Sequence, residues 1–265
     1  MKLSRRVALN GRFLDDVDDR IVISGIESAE GKENIQAVDT AAGFGQRITK
    51  SQRTTLDIAV KFKLLQRSRT PDNMTERSQL LEKVNAWAAP GGWLTVNYRP
   101  DRRIQVVLVQ APGEGSLWDY TKEFQMIFRA FTVPYWEEVA QNILSTDGWL
   151  NTGSVLMDIG GSAATQCSVE LENTSGAAID ACTVNLGGKV MNFDTLGLAG
   201  EETLVIDHQD SLVRIWIRNK NGSIRSAMSK RTGANDFLLK PGVYAGSFSA
   251  RRACRMTVSW RNRYL

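Results

Sequence analysis

The chain has 265 residues, 42% of them hydrophobic and 23% charged, with only 6 prolines, which excludes a collagen-like or extensively disordered polypeptide. Lys and Arg number 33 against 29 Asp and Glu, an excess too dilute to imply nucleic-acid binding through net charge alone. The length is compatible with two domains, and each half has enough apolar residues to build a core.

The first residues, Met1 to Val7, are basic but lead into Ala8-Leu9-Asn10-Gly11-Arg12 without an apolar stretch of signal-peptide length. No 18-residue apolar run occurs elsewhere in the sequence, so synthesis and folding in a cytoplasm are expected, with no transmembrane helix. Three cysteines, Cys167, Cys182 and Cys254, are odd in number, lack metal-ligand spacing and alternate with apolar neighbours. Buried free thiols in a reducing compartment follow from that pattern.

Strand signals dominate the chain. Leu56, Ile58, Val60 and Phe62 alternate with Asp57, Lys61 and Lys63, the period of a half-buried strand. One helix is expected, about 73–89. Leu80, Leu81, Val84, Trp87 and Ala88 recur there at three- and four-residue spacing, with Glu76, Arg77, Gln79, Glu82 and Lys83 assigned to the outward side. Asn73 and Glu76 suggest a capping box after Pro71, and Pro90-Gly91-Gly92 terminates the helix. Further on, Ile104 to Val109 is a continuous apolar run, and Glu123 to Phe131 alternates with Phe124, Met126, Phe128 and Ala130 on one side. Both read as strands.

Between Trp136 and Trp149 no clean period survives, which sets the expected boundary of two domains, 1–136 and 137–265. Beyond it, about eight short strands are expected, Ser154 to Ile159, Gln166 to Glu172, Ala181 to Leu186, Thr203 to Asp207, Leu212 to Arg218, Phe237 to Leu239, Tyr244 to Ala250 and Ala253 to Trp260. Turn signals separate them at Asn173-Thr174-Ser175-Gly176, Gly187-Gly188, Asn219-Lys220-Asn221-Gly222 and Lys240-Pro241-Gly242. The fold class is therefore mainly β: an N-terminal β domain with one helix, followed by an antiparallel β-sandwich of jelly-roll or galectin-like type.

Signatures of chemistry are sparse. The single histidine, His208, lies in a polar stretch, and no Gly-x-Ser-x-Gly elbow accompanies it. Gly187-Gly188-Lys189 lacks both the upstream glycine, where Thr183 stands, and the Ser or Thr after the lysine that a phosphate loop needs. Asp158, Asp207 and Asp210 are weak calcium candidates at a sandwich rim. Glu170, Glu172, Glu201 and Glu202 fall on outward or loop positions, with no aromatic cleft to suggest paired catalytic carboxylates. Of the tryptophans, Trp87, Trp93 and Trp260 fall in core patterns. Trp118, Trp136 and Trp149 lie in loop or boundary text, as core packing or interface anchors. No catalytic, metal or cofactor residue is assigned, and a non-enzymatic role is expected.

The order of features resembles a known family. Gly45-Gln46-Arg47 leads into the Thr54 to Phe62 strand, and the Thr75-Glu76-Arg77 helix ends in Trp87 before Gly91-Gly92-Trp93-Leu94. Tyr98-Arg99-Pro100-Asp101 and the Phe124 to Phe131 strand follow, closing in Val133-Pro134-Tyr135-Trp136. Leu204-Val205-Ile206-Asp207, Asn235 to Gly242 and Met256 to Arg261 continue the match through the second half. This sequence of signals resembles the distal tail proteins of siphophages, hub components of long non-contractile tails. The resemblance implies a homo-hexameric ring made by the N-terminal domain, between the tail tube protein and the tail-tip and receptor-binding proteins. It also implies a lumen passing genome DNA, residence at the virion tail tip, and no membrane partner. A carbohydrate-binding β-sandwich module is the alternative, predicting a monomer with exposed coplanar aromatics. A glycan-active enzyme is the third reading and requires two close carboxylates in a cleft.

Overall fold

The computed structural model describes residues 5–28, 32–39, 46–65, 71–113, 123–208 and 212–265. The chain divides into two compact units, Met1–Trp136 and Glu137–Leu265. Both are built almost entirely of antiparallel strands, and one α-helix is present among the described residues.

In the first unit the elements run β1 (Val7–Leu9), β2 (Arg12–Phe13), β3 (Ile21–Ser28), β4 (Lys32–Asp39), β5 (Gln46–Leu64), α1 (Pro71–Ala88), β6 (Gly92–Val96), β7 (Arg99–Gln110) and β8 (Phe124–Ala130). The main sheet has the order β2-β1-β6-β7-β8-β5-β3. The predicted alternations set its inner face: Leu56, Ile58, Val60 and Phe62 on β5 and Phe124, Met126, Phe128 and Ala130 on β8 are all buried. Phe62 stacks on Phe124 with centroids 5.5 Å apart, and Trp87 of α1 meets Phe128 edge-on at 6.1 Å. The helix thus covers this face, and the Trp87 indole N–H donates to the Arg12 carbonyl at 2.9 Å.

Three details differ from the sequence reading. The helix begins at Pro71, whose fixed φ suits the first helical position, so Asn73 already lies within the first turn and is not its cap. Arg77, assigned outward by its charge, is 1% exposed, with its guanidinium 5.7 Å from the centre of the Phe124 ring. Its position is three and four residues before Leu80 and Leu81, on the apolar stripe, so spacing decides and the long stem packs inward. On β7, the apolar run splits by parity: Ile104 and Val106 are buried, whereas Val107 and Val109 are exposed on the opposite face.

β5 is much longer than its apolar stretch. Its second half, Leu56 to Leu64, lies between β3 and β8, while its first half pairs with β4 from Gln46↔Asp39 to Thr55↔Lys32. Among the described residues β4 has no strand partner besides β5, so the two form a ribbon extending beyond the sheet.

The segment before β3 is tied to α1 by charge. Arg20 donates to both oxygens of Asp18, at 2.9 and 3.0 Å, Lys83 of α1 adds a contact at 3.1 Å, and Arg20 also reaches Glu76. The hydrogen bonds from Arg20 foremost, helped by Lys83, hold the Asp18 carboxyl well below the usual carboxylate range, against the opposing effect of its burial. A carboxylate depressed in the folded state contributes stability that is present above its unfolded value, near 4, and lost as pH falls below it. Asp18→Asn is therefore expected to destabilise the first unit by about 2 kcal/mol at pH 7, typical for hydrogen bonds to a charged group. The difference from the parent shrinks progressively below about pH 4, and parallel thermal melts at pH 7 and pH 3 measure it. An equal deficit at both pH values would contradict the assignment.

The second unit is a sandwich. A short β9 (Trp136–Glu138) is followed by β10 (Asn142–Ser145), β11 (Thr152–Ile159), β12 (Thr165–Asn173), β13 (Cys182–Leu186), β14 (Lys189–Phe193), β15 (Thr203–Asp207), β16 (Arg214–Arg218), β17 (Ile224–Ser226), β18 (Arg231–Gly233), β19 (Leu238–Leu239), β20 (Gly242–Ala250), β21 (Cys254–Trp260) and β22 (Arg263–Tyr264). One sheet has the order β10-β21-β12-β15-β16-β17 with β19 on β12, and the other β11-β20-β13-β14-β18. Their facing sides share one core. Val169, Leu171, Ile206, Ile217, Met256 and Val258 come from the first sheet, and Ile159, Val184, Phe193 and Phe248 from the second.

Strands outnumber the eight expected. β10 sits in the stretch that showed no period, because a four-residue strand shows too few alternations to register. β14, β17 and β18 are also short, and each pairs along only three to five residues.

Candidate functional surfaces

The residues that suggested chemistry are each engaged in structure. His208 is buried at the end of β15, where its Nε2 accepts the Phe237 backbone N–H at 3.3 Å. That bond requires a neutral ring with the proton on Nδ1. Burial pushes its pKa down, overriding the raising influence of Asp236 and Asp207. Among the described residues no hydroxyl bonds to the ring; Ser168 Oγ donates instead to Asp207 Oδ1 at 2.8 Å. A Ser-His-Asp relay is not assembled.

Gly187 and Gly188 form the two-residue turn between β13 and β14, with φ of 57° and 85°. Positive φ at both central positions is what a type I′ hairpin needs. Lys189, next in line, is paired with Asp236. Asp158 lies on β11 and Asp207 on β15, in different sheets, and Asp210 is outside the described residues.

The four glutamates each have a cationic partner: Glu170 with Arg218 at 2.9 Å, Glu172 with Arg255 at 3.4 Å, Glu201 with Lys220 at 2.7 Å and Glu202 with Arg225 at 2.6 Å. Arg225 draws the Glu202 carboxyl below its ordinary value. No pair of these carboxylates flanks a cleft in the manner of a glycosidase.

All three cysteines are free and buried. Desolvation pushes the thiols of Cys167 and Cys182 up to about 12 and that of Cys254 to about 11. Since the thiolate is the nucleophile, native protein at pH 8 is expected to take up no iodoacetamide, and denatured protein three equivalents without prior reduction. Intact mass reads both states. A Cys167–Cys182 bridge in fresh protein, seen as two blocked thiols, would overturn this.

The tryptophans separate cleanly. Trp87, Trp136 and Trp260 are buried, and Trp93 is half-buried beneath the Arg103 guanidinium at 3.9 Å. Trp149 is 84% exposed, and Trp118 lies outside the described residues. The sequence pattern alone does not single out Trp216. Its neighbours Ile215 and Ile217 are buried, so parity turns the indole to the outer face of the seven-stranded sheet. The row of coplanar aromatics expected of a carbohydrate-binding module is absent from that face among the described residues.

Larger features belong to the first unit. The face of its sheet opposite α1 carries Val107 and Val109 beside the bidentate Arg129–Asp57 pair. The outer edge of β4 presents backbone donors and acceptors that no described strand receives. No helix among the described residues is long and apolar enough to cross a membrane.

No family model matches the sequence, and no curated protein matches it. Solved structures do. The crystal structure of the SPP1 Dit protein, described as a paradigm of the hub adsorption apparatus in Gram-positive infecting phages, superposes with a TM-score of 0.69 at 13% identity. The match covers 98% of this chain and 99% of that one. Two structures of the phage P2 baseplate in its activated conformation, with Ca and with Sr, align at TM-scores of 0.46 and 0.48 and 8% identity. They cover 98% of this chain and 98% and 97% of theirs, respectively. At the level of fold, the likeness drawn from the order of sequence features is borne out.

Proposed function

We propose that this chain is a distal tail protein of a siphophage, a non-enzymatic hub that closes through its first unit into a hexameric ring. In this reading it joins the tail tube to the tail-tip and receptor-binding proteins, leaves a lumen for the genome, and resides at the virion tail tip after synthesis in the host cytoplasm. The observation that carries the proposal is the end-to-end fold match with SPP1 Dit, which leaves neither chain with an unmatched domain.

Physical features of the first unit support it. A two-stranded ribbon is marginal alone in water, and an unpaired strand edge invites another strand. The β4/β5 ribbon and the apolar patch at Val107 and Val109 therefore suit docking onto a neighbouring copy. A ring is made by such heterologous contacts when the rotation per copy closes. The engagement of His208 and of the four glutamates in structural bonds supports a role without catalysis.

Light scattering coupled to size exclusion, with negative-stain images of the same peak, tests the reading. Ring-shaped particles of six copies are expected. A strict monomer that also fails to join tail tips supplied with tube and tip proteins would sink it.

A further inference from the structure

Each sheet of the second unit has a free edge next to the other's, β10 on one and β11 on the other, with a groove between them. β11 is eight residues long, whereas β17 and β18 at the far ends of the two sheets have three each. Its pairing with β20 is unbroken from Thr152↔Ser249 to Ile159↔Gly242, and the Ala250 N–H donates to the Asn151 carbonyl just before it. Bonded and non-bonded positions alternate along an antiparallel pair. Gly153, Val155, Met157 and Ile159 therefore bond to β20, while Thr152, Ser154, Leu156 and Asp158 turn their backbone N–H and C=O groups to the free side. Among the described residues no strand receives them. Soluble proteins blunt such edges with proline, lysine, bulges or very short strands. β11 has none of these.

The groove beside this edge has a volume of about 420 Å³. Buried Trp260 and half-buried Leu144 line it, together with Ile143 of β10 and Leu156 of β11, which are 59% and 71% exposed. Two large apolar side chains thus stand in solvent next to unpaired backbone. Asp158 also lines the groove, two residues beyond Leu156 and on the same face of β11. Among the described residues it has no cationic partner, whereas Glu170, Glu172, Glu201 and Glu202 of the same unit each have one.

Charge selects the occupant. A strand that pairs its backbone with Leu156 and Asp158 sets one side chain across from each. An apolar residue opposite Leu156 and a lysine or arginine opposite Asp158, two positions apart, satisfy both. A second copy's β11 does not: the strand carries no cation, so two such edges laid together leave Asp158 unmet. We propose that β11 is a docking edge for an extended segment of another protein, added as a further strand with a basic residue across from Asp158 and an apolar residue across from Leu156. Main-chain bonds supply the affinity of such an addition, and the alternate side chains its specificity. Every residue of this edge belongs to the second unit, so the docking does not depend on ring closure by the first.

Selection of an mRNA-displayed library of random ten-residue peptides on the full chain tests the proposal. Enriched peptides are expected to share an apolar and a basic residue two positions apart. Adding one of them in synthetic form is expected to slow hydrogen exchange, read by mass spectrometry, in β11. Asp158→Lys is expected to bind that peptide about fivefold more weakly, the size of a strong cross-strand charge pair, and to regain affinity when the peptide's basic residue is changed to glutamate. Methylating the peptide nitrogens that face β11 is expected to abolish binding. Melting curves check that Asp158→Lys, a change at an exposed position, is folded. Light scattering of the same samples reads ring assembly, so failure here and failure of the hub reading are separate results. No enrichment, protection outside β11, equal affinity of Asp158→Lys or undiminished binding of the methylated peptide would each overturn the proposal. Protection of β11 that grows with chain concentration alone would give the edge to a second copy and overturn it as well.

Discussion

For the proposed ring, replacing residues 33–54 by Asn-Gly is expected to leave a monomer whose first unit is still folded. Lys32 and Thr55 are directly paired, so a two-residue turn closes the shortened hairpin at that point without disturbing the pairing of β5 with β3 and β8. The deleted ribbon contributes strand edges but lies outside the sheet that α1 covers. In the proposed ring, its loss removes the strand edge offered to a neighbouring copy. Size exclusion with light scattering reads the assembly, and a thermal melt reads the fold. A shortened chain that still assembles into rings would place the subunit contacts elsewhere, with the Val107 and Val109 face as the next surface to substitute.

The same ribbon marks where the sequence stops being legible. The half of β5 that lies in the sheet is visible because Leu56, Ile58, Val60 and Phe62 alternate with charged residues. The half that pairs with β4 has no such alternation, and β4 itself reads Lys-Glu-Asn-Ile-Gln-Ala-Val-Asp. A period-2 pattern records a strand with one face on a core, whereas β4 pairs with β5 alone among the described residues.

Side-chain placement failed in a different way. By residue type Arg77 reads as outward, whereas its spacing puts it on the helix stripe with Leu80, Leu81 and Val84. Trp216 carried the opposite lesson: with Ile215 and Ile217 facing in, alternation alone turned it out, next to Arg214 and Arg218 on the same face. Both positions were decided by period. What the period does not record is which outward residues from β12, β15 and β16 become neighbours, because strand order is set by long-range pairing. The groove between β10 and β11 is likewise a product of that order, which leaves both strands at a sheet edge.

Phe128→Ala is expected to produce the largest loss of stability of any single substitution considered. Phe128 is fully buried, edge-on to Trp87, and faces Ile58 across β5 and Leu108 across β7. Regular sheet on both sides and a helix above leave the surroundings little freedom to collapse into the space. A truncation of this kind costs about 3–5 kcal/mol, the lost transfer energy plus the cavity. For a unit of this size that lowers the melting temperature by roughly 10–20 °C. If the two units fold independently, calorimetry shows two transitions in the variant, one displaced and one at the parent's position, and assembly of the proposed ring is expected to fail with the first. Phe131→Ala serves as the control, since that ring is half exposed beyond the end of β8 and its truncation empties no core. A single transition that shifts as a whole would instead make the two units one cooperative body.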